Sequence, residues 1–308
     1  MGVYRLKTFA LPAILYIAAN AAAFACDQTT VNTTRQVDVT CYGAAPNTTV
    51  DSAPAINAAA LLAAGLHVPL VLPAGRYLVN HTIDIDYAAA ADTGIELESN
   101  GAILDGSSIA ASRVLLIHCS GGTSAAPKGC FYFHQTGTLF VYANSNTWAV
   151  DIGNEDFSDA QNSIKIDHLI VTNSGPLGVA LNYVLNADAF IVADAGPGQG
   201  TLHVGLGLTQ VQFSTLRGAA STVDGWAMWL GGGYNIANTI QGFDFEGSQW
   251  CLVNTSPSSA SNTFVSPYLN CLGGVNSASG SGNVLLNPLF GGATQIPTAI
   301  TAGFKVMQ

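Results

Sequence analysis

The feature that most constrains this chain is a repeat slightly longer than twenty residues in its second half. Three clear copies, NTIQGFDFEG, NTFVSPYLNC and NVLLNPLFGG, start at Asn238, Asn262 and Asn283, which lie 24 and 21 residues apart. In each copy, apolar residues follow the Asn two and seven places later. Weaker copies with the same apolar pattern cover 162–174, 187–196 and 208–218. A fixed period of this length is typical of solenoid proteins.

Each repeat is too short to bury its own apolar side chains, so neighbouring repeats must stack. The alternation of apolar and polar residues within the copies predicts short strands. Because stacked strands pair in parallel with the coil before and the coil after, we predict an all-β fold, a parallel β-helix. A leucine-rich repeat has a similar period, but the chain lacks its leucine spacing and its helix. A β-sandwich is the alternative, because its strands also recur at short, regular spacing.

The Asn that opens each copy is predicted to be structural. Asn tolerates left-handed backbone angles, which suits a turn between coils. Asn side chains at equivalent positions of stacked strands also form ladders of amide hydrogen bonds. We therefore expect the side chains of Asn238, Asn262 and Asn283 to stack along the solenoid.

Residues 1–25 are predicted to be a signal peptide. Arg5 and Lys7 give a basic start, an apolar run covers 9–24, and small residues precede the predicted cleavage point. A transmembrane anchor is one alternative, but the run is shorter than the ~20 residues that a spanning helix needs. A lipoprotein is another, because Cys26 follows the cleavage point. We expect a secreted protein, extracellular or periplasmic.

The six cysteines fall into three pairs that are close in sequence. The predicted disulfides are Cys26–Cys41, Cys119–Cys130 and Cys251–Cys271. Six cysteines allow 15 connectivities, and local pairing is the simplest of them. Such bonds form in oxidising compartments, in agreement with export.

The charge of the chain limits its partners. Only 9% of the residues are charged, and the formal net charge is −10. Nine scattered basic residues cannot neutralise a nucleic-acid backbone, so we exclude nucleic acid as a partner, and we expect no membrane partner after signal cleavage. A negative surface also repels polyuronates at long range. A neutral or weakly charged polysaccharide is the expected partner of a single domain, residues 26–308, whose oligomeric state is left open.

The segment 37–85 resembles a known family. A strand ends at Gly43-Ala44, Asp51 precedes a predicted helix, and a second strand ends in LPAGRY at 72–77. In this order the three features resemble the N-terminal motif of the pectate-lyase-like superfamily. The resemblance implies a single-stranded right-handed parallel β-helix with a short N-terminal cap.

The capping helix is also predicted from its own residues. Asp51 or Ser52 is a favourable N-cap, an alanine- and leucine-rich run covers 53–64, and Gly65 would end the helix. Such a helix would cover the open end of the coil stack and keep its first edge from pairing with another chain.

The resemblance does not select a reaction, because the superfamily includes polysaccharide lyases, glycoside hydrolases and phage tailspikes. Polygalacturonase-like members carry Asn-Thr-Asp, Asp-Asp, Gly-His-Gly and Arg-Ile-Lys motifs, and this chain has none of the four. Pectate lyases hold calcium with several Asp residues beside a basic residue, and no such cluster lies near Arg113 or Arg217. We therefore do not expect pectin cleavage.

The candidate site lies in 224–250, which contains three of the four tryptophans. If Phe243 and Phe245 point inward, alternation along a strand directs Asp244 and Glu246 outward. Their Cα atoms would lie ~6.6 Å apart, which is compatible with the ≈ 6.5–9.5 Å that inverting glycosidases keep between their carboxyl groups. We predict Asp244 and Glu246 as the general acid and base. The predicted substrate-binding residues around them are Gln212, Ser214, Trp226, Trp229, Tyr268 and Asn270.

Alternatives stand beside this hypothesis. The two acids can be ordinary solvated surface residues, and the tryptophans can fill or cap the coil. A second acidic segment could bind calcium, and no other cofactor is expected. Its residues are Trp148, Asp151, Glu155, Asp156 and Asp159. The sequence thus predicts a secreted carbohydrate-active protein, a glycoside hydrolase ahead of a polysaccharide lyase, with a non-catalytic glycan-binding or tailspike-like protein as the alternative.

Overall fold

The computed structural model describes the chain from residue 34 onward. The described ranges are 34–196, 203–247, 249–277, 280–291 and 304–307. The predicted signal peptide, residues 1–25, and Cys26 lie outside the described residues.

Short strands dominate the described chain. In chain order they are β1 (Val37–Asp38), β2 (Leu70–Val71), β3 (Gly75–Leu78), β4 (Ile83–Asp86), β5 (Ile95–Glu98), β6 (Ala102–Asp105), β7 (Arg113–His118), β8 (Lys128–Phe131), β9 (Phe133–Tyr142), β10 (Trp148–Ile152), β11 (Asp159–Asn162), β12 (Lys165–Ser174), β13 (Leu177–Asn182), β14 (Val184–Leu185), β15 (Asp188–Ala195), β16 (Val204–Thr209), β17 (Thr215–Thr222), β18 (Trp226–Gly231), β19 (Thr239–Gln241), β20 (Asp244–Glu246), β21 (Trp250–Asn254), β22 (Thr263–Val265), β23 (Tyr268–Asn270), β24 (Val275–Ser277), β25 (Asn283–Leu286), β26 (Leu289–Phe290) and β27 (Phe304–Met307). One α-helix, α1 (Ala53–Leu66), and two 3-10 turns, Val39–Tyr42 and Ala88–Ala90, accompany them in the described ranges.

The strands form three sheets in which each strand pairs in parallel with strands of neighbouring coils. The first sheet follows β1-β2-β5-β9-β12-β15-β17-β19-β22-β25-β27, and β3, β6, β20, β23 and β26 join it. The second sheet runs β4-β7-β10-β13-β16-β18-β21-β24, and the third runs β8-β11-β14. A rising coil gives this order, because each strand pairs with strands from the coil before and the coil after. The predicted parallel β-helix is therefore confirmed, and the β-sandwich alternative is wrong.

The apolar positions of the repeat form the inward face of the coils. Ile240 pairs with Phe264, and Phe264 pairs with Leu285. Phe245 pairs in the same way with Leu269. All five side chains are at most 1% exposed. Each contributes about 1.5–3 kcal/mol by leaving water, so stacking of the coils stabilises the core as the repeat predicts.

The asparagine ladder is present. The Nδ2 of Asn238 donates to Oδ1 of Asn262 at 2.9 Å, and Nδ2 of Asn262 donates to Oδ1 of Asn283 at 2.8 Å. The predicted left-handed angle at these residues is wrong, because the positive φ belongs to the residue before each Asn, such as Ala237 and Ser261, both at 57°. The corner residue turns the chain, and the buried Asn then satisfies backbone groups of the preceding coil.

Helix α1 covers the first coil. Asp51 Oδ1 accepts a hydrogen bond from the first N–H of the helix at 3.2 Å, so the predicted acidic cap is confirmed. The helix ends at Leu66 rather than before Gly65, because the left-handed residue that terminates it is His67, with a φ of 54°. The helix packs on β1, β2 and β4, which covers the N-terminal edge of the stack.

Two of the three predicted disulfides, Cys119–Cys130 and Cys251–Cys271, are present. The predicted partner of Cys41 is Cys26, which lies outside the described residues. In the part of the chain that the structure describes, no helix is long and apolar enough to cross a membrane.

Candidate functional site

The predicted catalytic carboxylates lie on the outer face of the first sheet. Phe245 is buried, whereas Asp244 is half-buried and Glu246 is exposed, so the predicted alternation on β20 is confirmed. Asp244 Oδ1 is buried without a hydrogen-bond partner among the described residues. Burial raises the pKa of Asp244 above its usual value, and the nearby charge of Glu246 raises it further. A carboxyl group whose pKa is raised can act as a general acid, and a neighbouring ionised carboxylate can act as a general base.

The neighbours of this pair agree with the prediction on one side only. On β23, Tyr268 pairs with Asp244 and Asn270 pairs with Glu246, as predicted. On the other side, β17 places Ala219 and Ser221 beside the acids, so the predicted placement of Gln212 and Ser214 there is wrong.

The error has a physical cause at one corner of the coil. The predicted placement aligns neighbouring coils by their apolar residues and therefore requires Phe213 to point inward. Phe213 instead has a φ of 54° and is 61% exposed. Ser214 is buried just after this corner, and its N–H donates to Oδ1 of Asn238, in the amide ladder, at 3.0 Å. Gln212 forms bridges to Leu185 and Ile236, which places it on the third face. Both residues therefore hold the coil together instead of facing the acids.

Sequence reasoning missed a further acid in this row. Asp194 on β15 pairs with Ser221, and Ser221 pairs with Glu246. Ser221 Oγ donates to Asp194 Oδ1 at 2.9 Å. We call this surface, with Asp194, Ser221, Asp244, Glu246 and Asn270, the carboxylate groove. A cavity of about 440 Å³ lies over its Glu246 side, and Asp244 does not line that cavity. The alternation in ADAFIVADAG already directs Asp194 outward, but only the pairing of coils places it near Glu246.

The tryptophans do not join this groove. Trp226 and Trp229 lie on β18 in the second sheet, which the chain enters after the short turn 223–225. They line a separate cavity of about 530 Å³, which we call the tryptophan cleft. Its lining residues are Trp148, Glu155, Pro176, Leu177, Ala180, Asn182, Val204, Gly207, Thr209, Trp226 and Trp229. The single site predicted from the sequence is therefore two surfaces on neighbouring faces.

Small residues form the floor of the tryptophan cleft. Ala180 on β13 pairs with Gly207 on β16, which pairs with Trp229 on β18. An apolar row, Leu177, Val204 and Trp226, follows the same three strands on one side of the floor. Asn182 and Thr209, also paired, follow them on the other side and add polar groups. The missing bulk at the two middle positions leaves the space between the tryptophans.

The position of the Trp229 indole is fixed by two contacts. Its Nε1 donates to Thr255 Oγ1 at 2.8 Å. Its ring lies across Gly231, where an added Cβ would be 2.2 Å from Trp229 Cζ2. The ring of Trp226 lies 6.3 Å away at an angle of 50°. Trp250 is the neighbour of Trp226 on the next coil and does not line the cleft.

A charged cluster stands behind Trp148 at the other end of the cleft. Arg113 Nη1 lies 2.5 Å from Asp151 Oδ2, and its Nη2 donates to Glu155 Oε1 at 2.6 Å. The guanidinium also lies 5.6 Å from the centre of the Trp148 ring, within cation–π distance. Asp151 is fully buried. Burial raises its pKa to about 7, against the lowering effect of Arg113 and with a small contribution from Glu155.

The other acids of the predicted calcium segment have separate structural roles. Asp159 is buried and accepts hydrogen bonds from the N–H groups of Cys119 and Asn154 at 3.0 and 2.7 Å. Asp156 accepts a hydrogen bond from the N–H of Ser158 at 2.9 Å. In the described ranges no three His, Cys, Asp or Glu side chains are grouped to hold a metal ion. Calcium binding stays a prediction.

Comparison with known proteins shows likeness in structure only. No family model and no curated protein matches the chain. A mutant of the DFA-IIIase from Arthrobacter chlorophenolicus A6 in complex with DFA-III is similar, with a TM-score of 0.55 and 12% identity, over 83% of this chain and 67% of that chain. The same enzyme in complex with GF2 gives a TM-score of 0.51 and 12% identity, over 83% and 71% of the two chains. ORF18 of Geobacillus virus E2 gives 0.52 and 12%, over 94% and 57%.

These likenesses agree with the pairing of the strands. The described strands rise as one parallel coil, and the similar structures are right-handed parallel β-helix proteins. The chain therefore has a right-handed parallel β-helix fold, as the sequence predicts.

Proposed function

We propose that this protein is secreted and binds a neutral or weakly charged glycan in the tryptophan cleft. The observation that carries the proposal is the placement of Trp148, Trp226 and Trp229 around a floor of small residues. Sugar rings present flat apolar faces, which pack on indole rings, and hydroxyl groups, which need polar partners at the edges. A mostly apolar pocket with a few placed polar groups is the usual form of a small-molecule site.

The charges around the cleft favour a neutral ligand over a polyuronate. Glu155 is the charged residue that lines the cleft in the described chain, and its carboxylate already pairs with Arg113. No basic side chain lines the cleft among those described, so a carboxylate on the ligand would have no cation to meet it. The net charge of −10 adds long-range repulsion of acidic polymers.

Two further observations support the proposal. Two structures of similar fold are complexes of the DFA-IIIase with DFA-III and with GF2, which are carbohydrate ligands. The two disulfides suit an oxidising compartment, which agrees with the predicted signal peptide.

Binding to a panel of neutral and acidic glycans tests this function. We expect at least one neutral glycan to bind and to quench tryptophan fluorescence, and polygalacturonate not to bind. Trp229→Ala should weaken that binding by about 10- to 100-fold, whereas Trp250→Ala, which alters a tryptophan outside the cleft, should keep it. A panel without any bound glycan, or equal binding by both variants, would overturn the proposal.

A second candidate function is glycan hydrolysis in the carboxylate groove. The observation that favours it is Asp244, whose pKa is raised by burial and by Glu246 two residues away. Asp244 would act as the general acid and Glu246 as the general base that activates water, as in inverting glycosidases. Tyr268 and Asn270 lie beside them on the next coil.

Release of reducing ends from the bound glycan tests hydrolysis. We expect Asp244→Asn and Glu246→Gln each to lower the rate by about 100-fold or more. Asp188→Asn, on the same sheet but outside the groove, is the control and should keep the rate. Binding without chain shortening by the unaltered protein would leave the non-catalytic, tailspike-like alternative.

A further inference from the structure

The tryptophan cleft is bounded in both directions along the axis of the coil. Its floor is formed by β13 and β16, where the outward residues are Ala180 and Gly207. On β18, Trp229 pairs with Gly207 and ends this row. On β10 the residue that pairs with Ala180 is the buried Asp151, and Trp148, three residues before it, lines the cleft. Because β10 and β18 are three strand spacings apart, the cleft spans only ~14 Å between backbones. Its usable length is shorter still, since Trp148 on β10 and Trp229 on β18 both extend their rings into it.

Both ends are held in place by other residues. At one end, Arg113 contacts the Trp148 ring and is anchored to the fully buried Asp151. At the other end, the hydrogen bond from Trp229 to Thr255 and the close fit of its ring on Gly231 fix the indole. A glycan that ran along the axis would have to displace one of these rings.

We infer that the cleft takes a short neutral saccharide, of disaccharide or trisaccharide size, or the end of a longer chain, and does not let a chain pass through. The inference rests on the proposed function and names its ligand class. A regular coil would offer an extended glycan a long lateral surface, but tryptophans interrupt this face. The cavity volume of about 530 Å³ is within the usual range of small-ligand pockets.

Calorimetric titration with oligosaccharide ladders tests this inference. The probes are cello-, xylo- and fructo-oligosaccharides, each from the disaccharide to the hexasaccharide. For the ladder that binds, we expect affinity to rise up to the trisaccharide and then to stay level. Affinity that keeps rising to the hexasaccharide would overturn the inference but leave the proposed function intact. If no ladder binds and the panel above also fails, the proposed function falls, and this inference falls with it.

Two variants separate length selection from loss of fold. Ala180→Leu fills the floor and should weaken every member of the ladder by about tenfold or more, whereas Ala219→Leu, on the other face, should not. Trp148→Ala opens one end, so the hexasaccharide should gain affinity relative to the disaccharide. Unchanged affinities in Ala180→Leu, or an unchanged length preference in Trp148→Ala, would contradict a closed cleft.

Discussion

The carboxylate groove and the tryptophan cleft lie on either side of the same short turn, 223–225, and share the same coils. The groove is lined by acids and amides, and the cleft by indoles above small residues. Parallel pairing of the strands continues through both sheets. The difference teaches that the coil supplies rows of outward positions, while the residues at matched positions decide what each face can bind.

The two faces also differ in how they hold their ion pairs. On the cleft side, Arg113 is 19% exposed and pairs with the fully buried Asp151. On the groove side, Arg217 pairs with Asp188, and the two side chains are 46% and 54% exposed. Water screens the second pair, so it contributes little to stability. The first pair cannot lose a partner without leaving a buried charge.

The largest expected effect comes from breaking the buried pair. Arg113→Met should lower the free energy of unfolding at pH 8 by about 3 kcal/mol or more, because it leaves the Asp151 carboxylate buried without a cation. Arg217→Met should change it by less than about 1 kcal/mol. Chemical denaturation of both variants measures the difference. Adding Asp151→Asn to Arg113→Met should restore part of the loss, and equal losses in the two single variants would contradict this account.

The next effect is a dependence of stability on pH that belongs to the cleft side. Burial raises the pKa of Asp151 from 3.8 in the unfolded chain to about 7 in the folded protein. The folded state therefore binds this proton more tightly, so its contribution favours folding at acid pH and is lost as the pH rises from about 4 to about 7. Relative to Asp151→Asn, the wild type should lose about 4 kcal/mol over this window, since each pKa unit corresponds to about 1.4 kcal/mol.

Unfolding midpoints of the wild type and of Asp151→Asn at several pH values check this prediction. Because both proteins share every other titrating group, their difference isolates Asp151. Parallel curves would mean that Arg113 offsets burial in full and that the pKa of Asp151 stays near its usual value.

The change in glycan affinity should differ between a substitution in the cleft and one in the groove, by a smaller free energy than the two stability effects above. Trp229→Ala should weaken glycan binding by about 10- to 100-fold, the loss expected when a central aromatic contact is removed. Glu246→Gln should leave the affinity within about twofold, since Glu246 lies outside the cleft. A twofold change corresponds to less than about 0.5 kcal/mol, because tenfold corresponds to 1.4 kcal/mol. Titration calorimetry measures both. The opposite pattern would place the glycan in the carboxylate groove.

The smallest expected effect concerns the packing of the Trp229 ring on Gly231. In Gly231→Ala the new Cβ would overlap the Trp229 ring, so the ring must move. We expect binding to weaken by about threefold, with less than about 1 kcal/mol change in stability. Gly65→Ala in α1, where an added Cβ meets nothing within 4 Å, is the matched control. Wild-type affinity in Gly231→Ala would show that the ring position does not matter for binding.

Much of the fold could be predicted because it follows from local and periodic patterns. The period implies stacked coils, and alternation on β20 directs Asp244 and Glu246 outward. The amide ladder follows from an Asn at the same place in each copy. The pairing of these acids with Tyr268 and Asn270 also follows, since both coils carry clear copies of the repeat.

The tryptophan cleft could not be predicted from these local and periodic patterns. Trp148 and Trp229 are far apart in sequence, and Ala180 and Gly207, which make room between them, carry no chemical signal of their own. The misplacement of Gln212 and Ser214 has the same origin, because one left-handed corner at Phe213 turns an apolar residue outward and shifts the alignment.

By itself, the sequence determined the parallel coil, its inward residues and its capped first edge, because short-range alternation and a constant period leave a stacked solenoid as the way to bury those side chains. Only the tertiary structure decided which outward residues meet. That outcome depends on where each corner falls and on the register between coils, and both are set by packing between segments that are distant in the chain.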